Sequence, residues 1–395
     1  MTHPTKAIYK HVLGDSLKVF DGEKVLFDSQ DIYNSLDKIS VVNFHQEVEV
    51  DGIKFTCYAA GHVLGACMFL IDIAGTKILY TGDYSREEDR HIKGAEIPNT
   101  KVDVLIVEST YGIKTHDPRE IREKRFIETV RNIVVDRNGH CLLPVFVLGR
   151  AQEILLILEE YWNSKPEMQS IPIYYASTLM AKCMVIFQTY INMMGDAMKE
   201  SFKRGISPFD FKHISILKNI DNLDNNQPSV VMASPGMLQK GLSRTLFEKW
   251  CSCAQNGVVF TGYCVETTLA REILSGRKEM RRADGVDVPI KMSVHNISFS
   301  AHADFVQTRD FCKSVDPTQI ILVHGESHEA DRMKKELEII FPEKQIFVPK
   351  NWQIVEIVID SKIVKWQLIT DVQGRRQADH KARKAATGYD RQQAR

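Results

Sequence analysis

Five side chains in this sequence are of types that hold a divalent metal or move a proton, and each stands where a chain can gather such groups. Asp83, Glu108 and His324 lie just past the last apolar residues of three short runs: Lys77-Ile-Leu-Tyr-Thr-Gly-Asp83, Val102-Asp-Val-Leu-Ile-Val-Glu108 and Ile320-Ile-Leu-Val-His324. Such runs read as buried strands, and in α/β proteins ligands collect beyond strand carboxyl ends. His62 sits in Ala60-Gly-His-Val-Leu-Gly65, where glycines let the backbone pass close to a neighbour. His302 follows an apolar stretch in the small-residue segment Ser298-Phe-Ser-Ala-His-Ala-Asp304. Imidazole and carboxylate both ligate zinc, and an imidazole beside a carboxylate is the usual means of proton transfer. Spacing alone leaves other roles open: a helix cap or turn for Asp83 and Glu108, a structural histidine for His62.

These groups need strands and helices to position them. Further strand-like runs are Cys141-Leu-Leu-Pro-Val-Phe-Val147, Ser229-Val-Val-Met-Ala-Ser234 and Gly257-Val-Val-Phe-Thr-Gly262. Asp117-Pro118 predicts an N-cap and first turn, with Phe126, Val130 and Ile133 on one face of a helix ending near Val135. Gly149-Arg150 opens a helix over 151–162, and 327–340 reads as another. Residues 113–299 alternate strand and helix, which predicts a parallel α/β unit. Before them the chain is strand-rich, with hairpin spacing around Asp51-Gly52 and Gly75. The stretch from Gln373 to Arg395 is polar and basic; it reads as a disordered tail, either a nucleic-acid-contacting arm or merely solvated.

Composition excludes little. Lys+Arg and Asp+Glu both number 51, so a nucleic-acid partner would have to be held by a local patch rather than bulk basicity. Eight cysteines lack zinc-ribbon spacing and read as reduced thiols of an intracellular protein; Cys251-x-Cys253 has no second pair. No apolar run approaches the ~20 residues that span a bilayer, and the first residues show no signal-peptide pattern.

The words around the five residues say more. Gly61-His-Val-Leu-Gly-Ala66, Tyr80-Thr-Gly-Asp-Tyr-Ser85, Glu108-Ser-Thr-Tyr-Gly112, Ser298-Phe-Ser-Ala-His302 and Leu322-Val-His-Gly-Glu326 resemble, in order and spacing, the metallo-β-lactamase/β-CASP RNA endonucleases. Leu143-Pro-Val-Phe146, Leu148-Gly-Arg-Ala-Gln-Glu153, Ala233-Ser-Pro-Gly-Met237 and Gly262-Tyr-Cys-Val-Glu266 extend the match. Asp89-Arg-His-Ile92, Ala95-Glu-Ile-Pro98 and Pro172-Ile-Tyr-Tyr-Ala-Ser177 look most like the branch that works in pre-mRNA cleavage and polyadenylation. The resemblance runs from Met1 to about Trp366.

It implies an α/β fold: a metallo-β-lactamase αβ/βα sandwich from residues 1–112 and 300–370, with a β-CASP domain containing a parallel sheet inserted over 113–299, and the basic tail over 371–395. It implies two zinc ions sharing Asp83, with His62 on the first and His324 on the second. His302 and Glu108 would form a hydrogen-bonded pair at the scissile phosphate, His302 protonating the leaving oxygen and Glu108 orienting it. Ser300 and Arg150 follow as candidates for phosphate contact; for Arg150 the alternative is a helix-start residue paired with Glu153 or a backbone carbonyl.

The implied function is a zinc-dependent endoribonuclease cleaving pre-mRNA 3′ ends in the nucleus. Its implied partners are RNA and other subunits of the cleavage and polyadenylation complex, including a β-CASP pseudo-enzyme, with no membrane. The alternatives are a non-catalytic β-CASP scaffold or RNA-binding subunit, and the related snRNA-processing endonuclease. Retention of all five residues counts against the scaffold. A small-molecule metallo-hydrolase is disfavoured because so large an insertion caps the site, leaving a narrow, strand-accommodating cleft. One departure matters: the family's His-x-His-x-Asp-His word, which supplies four zinc ligands, does not occur in these 395 residues. The expectation is an N-terminally incomplete copy, with Met1 an internal methionine read as a start. Each zinc would keep two protein ligands against the usual three, so this chain would bind zinc poorly and be inactive by itself.

Overall fold

A computed structural model describes residues 1–19, 26–359 and 362–367. The basic stretch from Gln373 to Arg395 lies outside the described residues. Two large sheets organise the chain.

The first sheet has seven strands. Five come early: β1 (Glu47–Val50), β2 (Ile53–Ala59), β3 (Cys67–Ile73), β4 (Thr76–Tyr80) and β5 (Val104–Glu108). The second sheet is built from β6 (His140–Pro144), β7 (Ile173–Ala176), β8 (Ile214–Ile216), β9 (Ser229–Ala233) and β10 (Gly257–Phe260). After the small hairpin β11 (Glu279–Arg281) and β12 (Asp287–Pro289), it is completed by β13 (Ser293–Asn296). The chain then returns to the first sheet with β14 (Gln319–Val323) and β15 (Gln345–Phe347), and β16 (Ile354–Ile359) pairs with β17 (Lys362–Gln367).

In the first sheet the order is β1-β2-β3-β4-β5-β14-β15. The pairs as far as β4 are antiparallel, and those from β4 onward are parallel. Two-residue turns close the first hairpins: Asp51-Gly52 and Ala74-Gly75 both have positive φ at each residue, the twist that suits antiparallel strands. The second sheet, β13-β10-β6-β9-β7-β8, is parallel throughout. Its central strands read as continuous apolar runs because both faces are covered.

Ten α-helices are described. They are α1 (His3–Val19), α2 (Ser29–Asp37), α3 (Arg119–Arg131), α4 (Arg150–Ser164), α5 (Thr178–Thr189), α6 (Asp196–Lys203), α7 (Gly241–Trp250), α8 (Leu269–Leu274), α9 (Phe305–Val315) and α10 (Ser327–Ile340). One face of the parallel sheet packs on α3, α4 and α5 through fully buried Phe126, Trp162 and Phe187; the other packs on α7 and α8 through Phe247 and Ile273. The first sheet rests on α9 and α10 through Phe311 and Leu337. Its opposite face meets β16 through Ile357, against Ile78, Val104 and Ile321. None of the described helices is long and apolar enough to cross a membrane.

The helix expected to end near Val135 is α3 followed by one π-helical turn, Asn132–Asp136, and Phe126, Val130 and Ile133 are all fully buried on it. The expected cap is displaced. Pro118, not Asp117, is the N-cap residue and no side chain caps the helix. The Asp117 carboxylate turns instead to Arg125 at 2.9 Å, because it lies one residue too far upstream to reach the free amides. The helix read over 151–162 spans Arg150–Ser164, and that over 327–340 is α10. All eight cysteines are free thiols.

Candidate active site

Strands β4, β5 and β14 are neighbours and mutually parallel, so their carboxyl ends emerge side by side. Glu108 is paired in register with Val323, one residue before His324, and the Thr81 amide closes on the Ile106 carbonyl at 3.0 Å. This register brings Asp83, Glu108 and His324 to one rim. His302 arrives from the segment leading into α9, and donor atoms of Asp83, Glu108, His302 and His324 all lie within 4.8 Å of one another. His62 joins from the turn after β2; its ring centroid is 4.7 Å from that of His302. The turn passes so close to the neighbouring backbone that a Cβ on Gly61 would stand 2.4 Å from the Ser85 carbonyl oxygen. Sequence placed the five residues on strand ends and loops; the fold brings all five together.

Their hydrogen bonds divide them into two sets. Glu108 is saturated: its side chain is fully buried, Oε1 accepts the Tyr84 amide at 2.8 Å, and Oε2 accepts His302 Nδ1–H at 2.7 Å and the Thr110 hydroxyl. Asp83 is one-third exposed, with each oxygen facing a different imidazole. Oδ1 is 3.3 Å from His324 Nδ1, and Oδ2 is 3.8 Å from His62 Nε2. His62 donates Nδ1–H to the Ala301 carbonyl at 2.9 Å, which leaves Nε2 with its lone pair toward Asp83. Burial, with the neighbouring His302, holds His62 below the usual histidine range, in the neutral form that ligation requires.

For His302, burial alone would lower the pKa. The hydrogen bond and charge of Glu108, with help from Asp83, outweigh it and hold the imidazole above its ordinary value. A carboxylate flanked by two imidazoles, one oxygen to each, is a donor set that fits divalent metal ions. His62, Asp83 and His324 would hold them, and Glu108, already saturated, would not.

Ser300 and Arg150 line the same cleft as His62 and His302, a cavity of about 440 Å³. Ser300 Oγ accepts the His302 amide at 3.2 Å and so helps fix that residue's backbone. Arg150 is nearly buried at the start of α4, with its guanidinium bound to Asp89 and 3.4 Å from Ser85 Oγ. The partner is Asp89 rather than Glu153. A second donor grouping, Asp89, His91 and Glu153, is already served by cations: Arg150 on Asp89, Arg90 and Arg119 on Glu153.

Sequence reasoning missed Thr110 and Asp304. The Thr110 hydroxyl sits 3.1 Å from His324 Nδ1 and 3.3 Å from His302 Nδ1, tying both sets together. Asp304 caps α9 by accepting the Gln307 amide at 2.8 Å, while its other oxygen accepts the His116 amide at 2.9 Å. The Asp before an apolar helix two residues beyond His302 was the available signal. Asp304→Ala strands both amides, and a loss of about 1–2 kcal/mol is expected, read as a lowered urea midpoint with unchanged slope. No shift would mean that water replaces the carboxylate at no cost.

Comparison with known proteins finds three family domains along the chain. Residues 7–110 match the model of a metallo-β-lactamase superfamily domain, 151–273 that of a β-CASP domain, and 287–349 that of a Zn-dependent metallo-hydrolase RNA specificity domain. "Cleavage and polyadenylation specificity factor subunit 3" of Dictyostelium discoideum is 54% identical over 354 residues, covering 89% of this chain and 46% of the relative. The Arabidopsis thaliana protein "Cleavage and polyadenylation specificity factor subunit 3-I" is 54% identical over 366 residues, with 92% and 52% covered. "Endoribonuclease ysh1" of Schizosaccharomyces pombe is 47% identical over 357 residues, with 89% and 47% covered. The chain spans about half the length of the curated relatives it matches.

Proposed function

Because the chain belongs to the metallo-β-lactamase/β-CASP family of metal-dependent nucleases, we propose that it carries the RNA-cleaving centre of a zinc-dependent endoribonuclease acting on mRNA precursors before polyadenylation. The observation that carries this reading is the pairing of His302 Nδ1 with the buried Glu108 at 2.7 Å, beside a carboxylate that faces two imidazoles. A binding surface needs no such arrangement, and that counts against the scaffold alternative. The relatives' names mention cleavage and polyadenylation, which supports this reading. A pre-mRNA substrate, a nuclear setting and a β-CASP pseudo-enzyme partner are part of the same proposal.

In this mechanism His62, Asp83 and His324 would hold zinc, which when bound would supply Lewis acidity toward water and the phosphate. Glu108 keeps the Nδ1–H of His302 directed at itself, so Nε2 is the ring nitrogen left to face the cleft. Its charge favours the imidazolium, which donates a proton to the leaving oxygen. Ser300 holds the His302 backbone in place, and Arg150, committed to Asp89, fixes the start of α4.

Among the described residues each zinc position has two protein donors, below the usual three at a catalytic zinc. The 395-residue chain is therefore expected to retain less than one zinc after gel filtration, by elemental analysis, and to be inert without added metal. The function is tested with a labelled single-stranded RNA in a large excess of zinc. Zinc-dependent cleavage supports the reading; RNA bound but intact at every zinc concentration would hand it to the scaffold.

A further inference from the structure

Beyond the five residues, the cleft has a second wall that the chemistry does not use. Past β6, ahead of the turn over 147–149, Val145 and Val147 are buried while Phe146, between them, is left 48% exposed and lines the recess. A phenylalanine so placed forgoes part of the ~1.5–3 kcal/mol that full burial would contribute. Gly236 packs closely against it: a Cβ there would stand 3.1 Å from the ring, so a larger residue would push the ring aside by a few tenths of an ångström. A Cβ at Gly262 would come within 3.8 Å of the same ring, and the next residue, Tyr263, lines the cleft too. Tyr263 meets Tyr111 edge-on, with centroids 6.0 Å apart, and Tyr111 lies three residues beyond Glu108. Three loops on the carboxyl edge of the parallel sheet, after β6, β9 and β10, thus set an aromatic wall beside His302 and Ser300.

We propose that Phe146 and Tyr263 form a stacking subsite for the nucleobase next to the scissile phosphate of a single-stranded RNA, a subsite that depends on the RNA-cleaving reading above. Once a phosphate is placed at the Glu108–His302 pair, the sugar and base attached to it must go along the cleft, and the surface met there is an exposed ring. Stacking on an aromatic is tolerant of sequence because every base presents a π-face. The wall therefore secures the strand without selecting it, and exchanging one base for another should change affinity far less than removing the base.

The test uses the 395-residue chain and a single-stranded RNA dodecamer containing 4-thiouridine. Irradiation should crosslink the RNA to peptides carrying Phe146 or Tyr263, mapped by mass spectrometry. Phe146→Leu should weaken Kd by roughly 5- to 150-fold, and Phe146→Trp should restore it. An RNA bound equally well by the wild type and Phe146→Leu, or crosslinked only elsewhere, overturns the subsite while leaving the RNA reading intact. Failure of the wild type to bind the RNA at all overturns both. If Phe146→Leu does not fold, as judged by its melting curve, the wild-type crosslink map decides alone.

Discussion

Alanine at position 302 should slow single-turnover RNA cleavage in excess zinc by about 10²- to 10⁴-fold, the range that a positioned general acid contributes. His302 is held by Glu108, whose side chain is fully buried and whose other oxygen is tied to the Tyr84 amide, so the imidazole cannot swing without stranding a buried charge. Glu108 also overcomes the effect of burial and keeps the imidazole above its usual pKa. Zinc retention is the control. On the proposed reading the metal is held by His62, Asp83 and His324, so His302→Ala should leave bound zinc unchanged. A parallel fall in zinc would make His302 a ligand and sink its role as acid. Glu108→Gln keeps a side chain of the same shape but removes the charge, and an intermediate loss of rate is expected.

The second large effect concerns the seam between the two sheets. Arg90 and His91 belong to the segment after β4, whereas Glu153 lies on α4, which packs on the parallel sheet. Glu153 Oε2 accepts the Arg90 amide at 3.0 Å and His91 Nδ1–H at 3.0 Å, while Oε1 accepts Arg90 Nη1 at 2.9 Å and Arg119 Nη2 at 3.2 Å. Arg90 also forks onto both oxygens of Glu123 at 2.7 and 2.8 Å. Glu153→Ala leaves the buried His91 and the part-buried Arg90 without their shared anion, and a loss of about 3 kcal/mol is expected in urea unfolding.

The pH dependence has a definite sign. Burial alone would raise the Glu153 pKa, but His91 and Arg90 pull it down to about 2 from 4.5. A depressed carboxyl contributes stability that is full above the unfolded value and lost as pH falls through the folded one. The wild type should therefore lose stability between about pH 4.5 and 2 in a way that Glu153→Gln does not. Identical acid limbs would show that the carboxylate is not the group being protonated.

Much of the site was written locally. Apolar runs ending in Asp83, Glu108 and His324 announce strands with polar residues at their ends, since burial sets the pattern residue by residue. Helix α10 was legible for the same reason, and α3 was legible except at its start, where a one-residue shift sends Asp117 to Arg125.

Sequence by itself determined the residue types, the strand ends that carry them, the parallel α/β insertion, and the motif words that name the family. Only the tertiary structure decided which ends meet. β5 and β14 lie side by side although Glu108 and His324 are far apart in the chain, and Glu108 finds His302 across a separation of 194 residues. Periodicity reports whether a face is buried, not against what, because strand pairing is settled by long-range closure of the sheet. For that reason the partner of Arg150, the Thr110 hydroxyl between two histidines, and the Phe146 ring turned into the cleft could be read only once the two sheets had been brought together.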